Sequence, residues 1–226
     1  MSELKVPKLL ILFSMLYLTI MLTGVIVLNK TIMVFSYPVT ATALISPLWF
    51  IMGDIIAEIY GFKIARKIFY SAVACQWIYV TAGTYLIHMH SPENWHYQLY
   101  YNYVFSGLFR LNFSMLIAII IAGNFNIYFI TRWKFLLKGK YFWLRSMGAS
   151  GGCEILYTLL ASFFVFVGTL SWPNLISFTL LALMLKIIYT IILVYPANYI
   201  TFLVKKYAGI DVYDNNIINP FKSFYK

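Results

Sequence analysis

Five charged side chains interrupt long apolar stretches of the chain, and they are its strongest candidates for chemistry. Asp54 and Glu58 stand four residues apart, a spacing that places both on one face of a helix. Arg110, Glu154 and Lys186 interrupt three later stretches. Because a charge exposed to lipid costs about 2.5–3.5 kcal/mol, we expect all five to face one interior, where they neutralise each other or line water.

The elements that must position these residues are membrane helices. Hydrophobic residues make up 62% of the 226 residues and charged ones 11%, whereas soluble domains contain about 25% charged residues. The composition predicts an all-α polytopic membrane protein surrounded by a lipid bilayer. We find no linker, so we predict one membrane domain over residues 1–226, folded as a single six-helix bundle. The stretches long enough for the roughly 20 residues of a crossing are 9–28, 39–60, 68–90, 102–130, 146–170 and 174–204.

The lysines and arginines predict the orientation of the bundle. With six spans, fourteen of them fall on one side and Lys30 falls on the other. Since cytoplasmic loops carry the excess of positive charge, we expect both termini to be cytoplasmic. The formal charge of +10 is then a topology signal and does not indicate nucleic-acid binding. The fourteen residues are Lys5, Lys8, Lys63, Arg66, Lys67, Arg132, Lys134, Lys138, Lys140, Arg145, Lys205, Lys206, Lys222 and Lys226.

Two other kinds of site have weaker support. His88, His90 and His96 cluster with Glu93, but solvated loop side chains explain them better than a metal site does, and we predict no metal and no cofactor. The run Gly148-Ala-Ser-Gly superficially looks like the serine site of a rhomboid-type intramembrane protease. Such a serine needs a general base, and the last two stretches contain no histidine. We therefore predict that the chain is not an enzyme.

The run from Pro47 to Arg66, with the pattern D-x-x-x-E-x-Y-G at its centre, resembles the signature of the queuosine precursor transporters, also called vitamin uptake transporters. The ending from Lys186 through Pro196 to Asp214 is similar to the same family. The resemblance implies a bacterial inner-membrane importer, similar in fold to the S components of energy-coupling-factor vitamin transporters. It also implies salvage of 7-cyano-7-deazaguanine, 7-aminomethyl-7-deazaguanine or queuine for queuosine in tRNA.

A guanine-like base predicts a particular binding site. One carboxylate suits its parallel N1–H and amino donors, a cation or amide suits its carbonyl, and an aromatic ring stacks on its plane. Glu154 stands where the family more usually has Asp, and Asn126 where an acidic residue is often found. The candidates for the guanine edge are Asp54 and Glu154, and those for the carbonyl are Lys186, Arg110 and Gln76. The candidates for stacking are Trp77, Trp49 and Tyr157. The remaining candidate is the interior amide of Asn126.

Several of these residues have a second interpretation. Lys186 and Arg110 could serve only as counter-charges for the buried carboxylates. Glu58 could pair with Arg66 or Lys67 at the cytoplasmic end of its helix, as a helix-end or gating contact. Gly148-x-x-x-Gly152 could serve close packing in the bundle or a homodimer.

The two prolines within spans predict where the bundle moves. Pro47 and Pro196 each remove a helix hydrogen bond, which predicts a bend or a break at Pro47 and a kink or tilt at Pro196. Rocking about them would expose a midplane site alternately to the two sides, with or without proton coupling. The alternative role is that of a substrate-binding S-like subunit of an ATP-driven importer. S components dock through small residues on the first helix, and residues 9–28 contain no alanine and only Gly24.

Overall fold

The computed structural model describes residues 8–34, 37–105, 107–166, 168 and 170–214. Three of the basic residues used for topology, Lys5, Lys222 and Lys226, lie outside them. Five helical stretches among the described residues are long and apolar enough to cross a membrane, with α3 and α4 counted together. The elements are α1 (Lys8–Ile26), β1 (Thr31–Val34), β2 (Tyr37–Thr40), α2 (Thr42–Ile87), α3 (Gln98–Phe105), α4 (Leu108–Leu136), α5 (Phe142–Phe166) and α6 (Trp172–Ala208).

Helix α2 is the centre of the bundle and is broken at Gly61. In the most apolar 18-residue segment of α2, 67% of the residues are buried, whereas the corresponding fraction in the other four stretches is 24–39%. At 1.5 Å per residue its 46 residues would extend for about 69 Å, more than twice a bilayer core. Gly61 has φ 81° and ψ 174°, a conformation essentially restricted to glycine. The break at this position divides α2 into two helical halves.

The first half of α2 runs parallel to α4. The Asn126 amide donates to Asp54 Oδ1 at 2.8 Å, and the Lys134 ammonium donates to the carbonyl oxygen of Glu58 at 2.5 Å. The two helices therefore run in the same direction, towards the C-terminal end of α4.

The second half of α2 runs in the opposite direction. The Tyr70 hydroxyl donates to Asn124 at 3.1 Å, and the Gln76 amide donates to Asn112 at 3.0 Å, so numbers increase along α2 while they decrease along α4. The chain thus reverses direction at the Gly61 break. Of the bend or break predicted at Pro47, the break is wrong, because the helix continues through Pro47 and its non-helical residue is Gly61. Helix α6 likewise continues through Pro196.

A β-hairpin between α1 and α2 corrects the all-α prediction. Strands β1 and β2 pair antiparallel, with Ile32 opposite Val39, and α2 begins at Thr42 instead of at residue 39. The strands are rich in β-branched residues, which favour extended backbone over helix. Val39 is fully buried, so the hairpin is held against the helices.

The start of α4 corrects the predicted depth of Arg110. The stretch expected to be one span from residue 102 is divided between α3 and α4, and Gly107 between them has a left-handed φ of 75° that glycine tolerates without strain. Arg110 consequently lies in the first turn of α4 and is exposed. It does not reach the interior that the sequence predicted for it.

The outer faces of the helices expose many large apolar side chains. Large side chains such as Met15, Ile78 and Met184 are 65–69% exposed. Exposed apolar area of this kind on several helices is typical of surfaces that contact lipid. The polar side chains of α2, α4 and α5 that are described next are, in contrast, buried.

Candidate functional site

A cavity of about 390 Å³ lies between the hairpin, α4, α5 and α6, within the usual range of about 300–1,000 Å³ for small-molecule sites. The hairpin contributes Thr31 and Thr40 to its wall, and Lys186 contributes a charge. Most of the remaining wall is apolar or aromatic. We call this space the main cavity.

Lys186 is held in the wall of the main cavity by three groups of α5. Its ammonium lies 3.2 Å from Glu154 Oε2, donates to Thr158 Oγ1 at 2.9 Å and stands 4.7 Å from the centre of the Tyr157 ring. Glu154 is fully buried and Lys186 is 6% exposed. The cost of burying either charge is reduced by the other, which is the counter-charge arrangement that the sequence offered as one interpretation of Lys186.

Several acceptors in and near this pair lack donors of good geometry among the described residues. Neither carboxylate oxygen of Glu154 accepts a hydrogen bond of good geometry, and Gln76 Oε1 has no hydrogen-bond partner there. The Ser46 hydroxyl stands beside Glu154 as a donor to its carboxylate, in a geometry less favourable than that of an ordinary hydrogen bond. A buried polar group left in this state costs about 1–3 kcal/mol. The arrangement would therefore favour a bound molecule that brings its own donors.

A second, small cavity of about 20 Å³ adjoins the main cavity, enough for about one water molecule. Ser46, Trp49 and Gln76 line it, and both cavities share Tyr157 and Met115. The Tyr157 hydroxyl donates to the Met115 sulfur at 3.4 Å. Tyr157 also meets Trp49 edge to face, with 5.4 Å between ring centres. Tyr157 and Met115 are therefore a partition between the two spaces.

Asp54 lies away from both cavities in a shell of neutral donors. The Ser146 and Ser150 hydroxyls donate to Oδ2 at 2.6 and 2.7 Å, and the Asn126 amide donates to Oδ1 at 2.8 Å. All four side chains are buried, and Asp54 is 0% exposed. Three hydrogen bonds occupy most of what a carboxylate can accept, so Asp54 offers less to a ligand than Glu154 does.

Glu58 is paired with basic residues that sequence spacing did not indicate. Arg145 donates to its two carboxylate oxygens at 2.7 and 3.0 Å, and Lys205 donates to Oε1 at 2.6 Å. The expected pairing with Arg66 or Lys67 is wrong, because the helix reverses between Glu58 and Arg66. The guanidinium of Arg66 instead stands over the rings of Phe62 and Tyr70, at 5.5 and 5.6 Å.

The segment after α6 completes this ion cluster. Lys134 donates to Asp211 Oδ1 at 2.5 Å and to the Val212 carbonyl oxygen at 2.6 Å. Burial raises the pKa of the Asp211 carboxyl, but hydrogen bonds from Lys134 and Lys205 outweigh that effect and hold the pKa below its ordinary value. We call Glu58, Lys134, Arg145, Lys205 and Asp211 the ion network.

The same segment contacts the break in α2. The Phe62 amide donates to Asp214 Oδ2 at 2.6 Å, and the Val212 amide donates to the carbonyl oxygen of Ile59 at 3.1 Å. A Cβ atom added to Gly61 would stand 2.6 Å from Asp214 Oδ2. The absence of a side chain at Gly61 is what allows this close approach.

A family model described as "Putative vitamin uptake transporter" matches residues 40–201, more than two thirds of the chain. The chain belongs to the vitamin uptake transporter family. Searches of curated proteins and of solved structures find no match to it. With its five apolar helical stretches, this transporter is a multi-pass membrane protein, and the expectation that it is not an enzyme agrees with the family.

Other candidates of this vitamin uptake transporter lie apart from the cavities. Trp77 packs edge to face against Phe109 and Phe113, two rings that are 42% and 59% exposed on the outside of the bundle. Arg110 is exposed at the start of α4. Ser150, the serine of the protease-like run, is fully buried and donates to Asp54. Among the described residues no three His, Cys, Asp or Glu side chains form a group that could hold a metal.

Some residues of the transporter's interior, among them Ser146 and Thr158, were not singled out from the sequence. With Ser150 and Glu154 they recur every fourth residue on α5, and this period alone marks a polar face. Arg145 was assigned only to the cytoplasmic loop, although its side chain is fully buried. Its partner Glu58 is 87 residues away in the chain, and no local pattern connects the two.

Proposed function

We propose that this vitamin uptake transporter imports a queuosine precursor of the 7-deazaguanine class across the bacterial inner membrane. The observation that carries the proposal is Glu154: it is fully buried, its carboxylate oxygens accept no hydrogen bond of good geometry from described residues, and its partner Lys186 lines the main cavity. The resemblance of the sequence to queuosine precursor transporters supports the choice of substrate.

The chemistry in and behind the cavity wall fits a flat base that is rich in donors. The ammonium of Lys186 lines the main cavity and suits the carbonyl oxygen. Glu154 lies behind Lys186 and outside the cavity wall, and its two oxygens would suit the parallel N1–H and amino donors of a guanine edge when Lys186 turns to the base. The ring of Tyr157 faces the main cavity, and stacking of a base on an aromatic ring contributes about 1–3 kcal/mol. Asp54, whose oxygens already accept three hydrogen bonds, is the less suitable carboxylate for the edge.

Six crossings and cytoplasmic termini form part of the proposal. The opposite directions of the two halves of α2 support one crossing by each half. The ion network joins the Gly61 break, the α4–α5 connection and the end of α6, and most of the lysines and arginines lie near these three places. The positive-inside rule then assigns this end of the bundle to the cytoplasm and the hairpin to the opposite side.

Uptake by the purified protein in liposomes tests the proposed function. We expect labelled 7-cyano-7-deazaguanine, 7-aminomethyl-7-deazaguanine or queuine to enter, and Glu154→Gln to reduce uptake at least tenfold because an amide replaces one acceptor by a donor. Glu93→Gln is the matched control, since Glu93 is exposed in the α2–α3 connection. Unchanged uptake by Glu154→Gln would remove Glu154 from the site.

The same liposomes distinguish the transporter from an S-like subunit. The chain is the only protein present, so accumulation or exchange of substrate requires that it works without an ATPase. Binding of the base without movement across the membrane would contradict autonomous transport and favour the S-like role.

A further inference from the structure

The three interior carboxylates differ in how their charges are compensated. Glu58 is paired with Arg145 and Lys205, and Glu154 is paired with Lys186. Asp54, which is fully buried, forms no ion pair with the lysines, arginines and histidines of the described residues. A buried charge without a counter-charge is costly, so the charge of Asp54 needs another form of compensation.

The shell around Asp54 can serve a charged and a neutral carboxyl equally well. The hydroxyls of Ser146 and Ser150 donate to the carboxylate, and a hydroxyl can also accept. The Ser150 hydroxyl has a second acceptor within reach, because Asn126 Oδ1 lies 3.5 Å from it. If Asp54 gains a proton, Ser150 can turn its own hydrogen to Asn126 and accept from Asp54. No side chain has to leave.

These contacts are too close for a larger ion but suit a proton. Both oxygens of Asp54 already touch their donors at 2.6–2.8 Å, and a proton needs no additional space. A sodium ion would need oxygen ligands at its own bonding distance on several sides, and the two serine oxygens would have to separate from Oδ2 to admit it.

The position of Asp54 connects the substrate site with the ion network. Glu154 follows Ser150 by four residues on α5, and Glu58 follows Asp54 by four residues on α2, each spacing corresponding to about 6 Å along the helix axis. Asp54 therefore lies between the Glu154–Lys186 pair and the Glu58–Arg145 pair.

The other titratable groups near Asp54 do not offer the same chemistry. Tyr17 of α1 and Cys153 of α5 are close enough to interact with its charge, but both ordinarily titrate above neutral pH. Glu58 on α2 is fixed by Arg145, and α4 presents the neutral amide of Asn126. Of these four residues, Asp54 is the carboxylic acid that has no ion-pair partner among the described residues.

We propose that Asp54 carries one proton inward with each substrate molecule. The proton binds to Asp54 from the outer side, forming an O–H bond, and is released to the cytoplasm when that bond breaks, so each imported base is accompanied by one additional positive charge. This inference rests on the proposed function, since it requires a transported substrate. It assigns to Asp54 a role separate from recognition of the base by Glu154.

Accumulation and exchange by the same proteoliposomes test the inference. With the membrane potential held at zero, an inward gradient of one pH unit should drive about tenfold accumulation of 7-cyano-7-deazaguanine by the wild type. One pH unit is a tenfold gradient of protons, and transport of one proton with each base supports an equal concentration gradient of the base. The variant Asp54→Asn replaces the carboxylate by an amide of about the same size, which stays next to Ser146, Ser150 and Asn126 but cannot bind and release the proton. It should exchange labelled for unlabelled base normally and show no accumulation.

A direct measurement of proton movement completes the test. A pH-sensitive dye inside the liposomes should report acidification when substrate is added to the wild type, and none with Asp54→Asn. Loss of exchange by Asp54→Asn would overturn the inference, as would equal accumulation with and without the pH gradient or accumulation driven by sodium. In the last two cases substrate still enters and the proposed function stands; absence of all uptake and exchange by the wild type would refute both.

Discussion

Replacement of Glu58 by glutamine should be among the most destabilising single changes in this transporter. Glu58 accepts two hydrogen bonds from Arg145 and one from Lys205, at 2.6–3.0 Å, and the side chains of Glu58 and Arg145 are both 0% exposed. Removing the carboxylate raises the formal charge of the ion network from +1 to +2, because three cations then face Asp211 alone.

The expected loss follows from the burial of Arg145. Breaking a buried ion pair by removing one partner costs about 3–5 kcal/mol, since the remaining charge stays out of water. In the variant, Arg145 keeps its hydrogen bonds to the carbonyl oxygens of Ile130, Gly139 and Lys140. Because these bonds still compensate part of its charge, we expect a loss in the lower part of that range. At 1.4 kcal/mol per factor of ten, the unfolding equilibrium constant should rise at least about a hundredfold.

Titration with sodium dodecyl sulfate in a mild detergent, followed by circular dichroism, measures this free energy of unfolding. Glu93→Gln makes the same chemical change at an exposed position and should stay within about 0.5 kcal/mol of the wild type. The double variant Glu58→Met with Arg145→Met leaves neither charge unpaired, so it should lose less than the sum of the two single variants. A Glu58→Gln protein as stable as the Glu93→Gln control would refute the reasoning.

Two further predictions concern glycines. Gly148→Ala should destabilise the protein by about 1–3 kcal/mol, because its Cβ would lie 2.7 Å from the Trp133 ring, whereas Gly152→Ala meets nothing within 4 Å and should be neutral or slightly stabilising; equal effects in the same titration would contradict this packing. Gly61→Ala should cost at least about 1–3 kcal/mol from backbone strain alone, and should release the segment that ends at Asp214, which limited proteolysis would detect as faster cleavage there than in the wild type.

The cost of charge in a membrane was the most informative argument that the sequence allowed. It led from Glu154 and Lys186 to a shared interior, and the structure places them in contact. The same argument gave a wrong position for Arg110, because the depth of Arg110 in the membrane was counted from a helix that was assumed to begin at residue 102. Gly107 divides that stretch and brings Arg110 to the exposed start of α4.

The partners of Glu58 and of Asp54 could not be predicted from spacing. Arg66 is the nearer basic residue in sequence, but the reversal at Gly61 turns it away and Arg145 of another helix takes its place. Asp54 was expected to be neutralised by another interior charge, to line water or to contact the guanine edge, and it is bound by two serines and an asparagine instead. Which helices are neighbours decides both outcomes, and a pattern local to one helix does not contain that information.

The docking of residues 211–214 at the Gly61 break also has a consequence for the order of events during synthesis. When the ribosome has made α2, the Phe62 amide and the Ile59 carbonyl oxygen at its break still lack their partners. The partners belong to Val212 and Asp214, and the Phe62–Asp214 contact spans 152 residues. This reversal of the chain is therefore completed by residues that follow α6, so this end of the bundle can close only after α6 has been made.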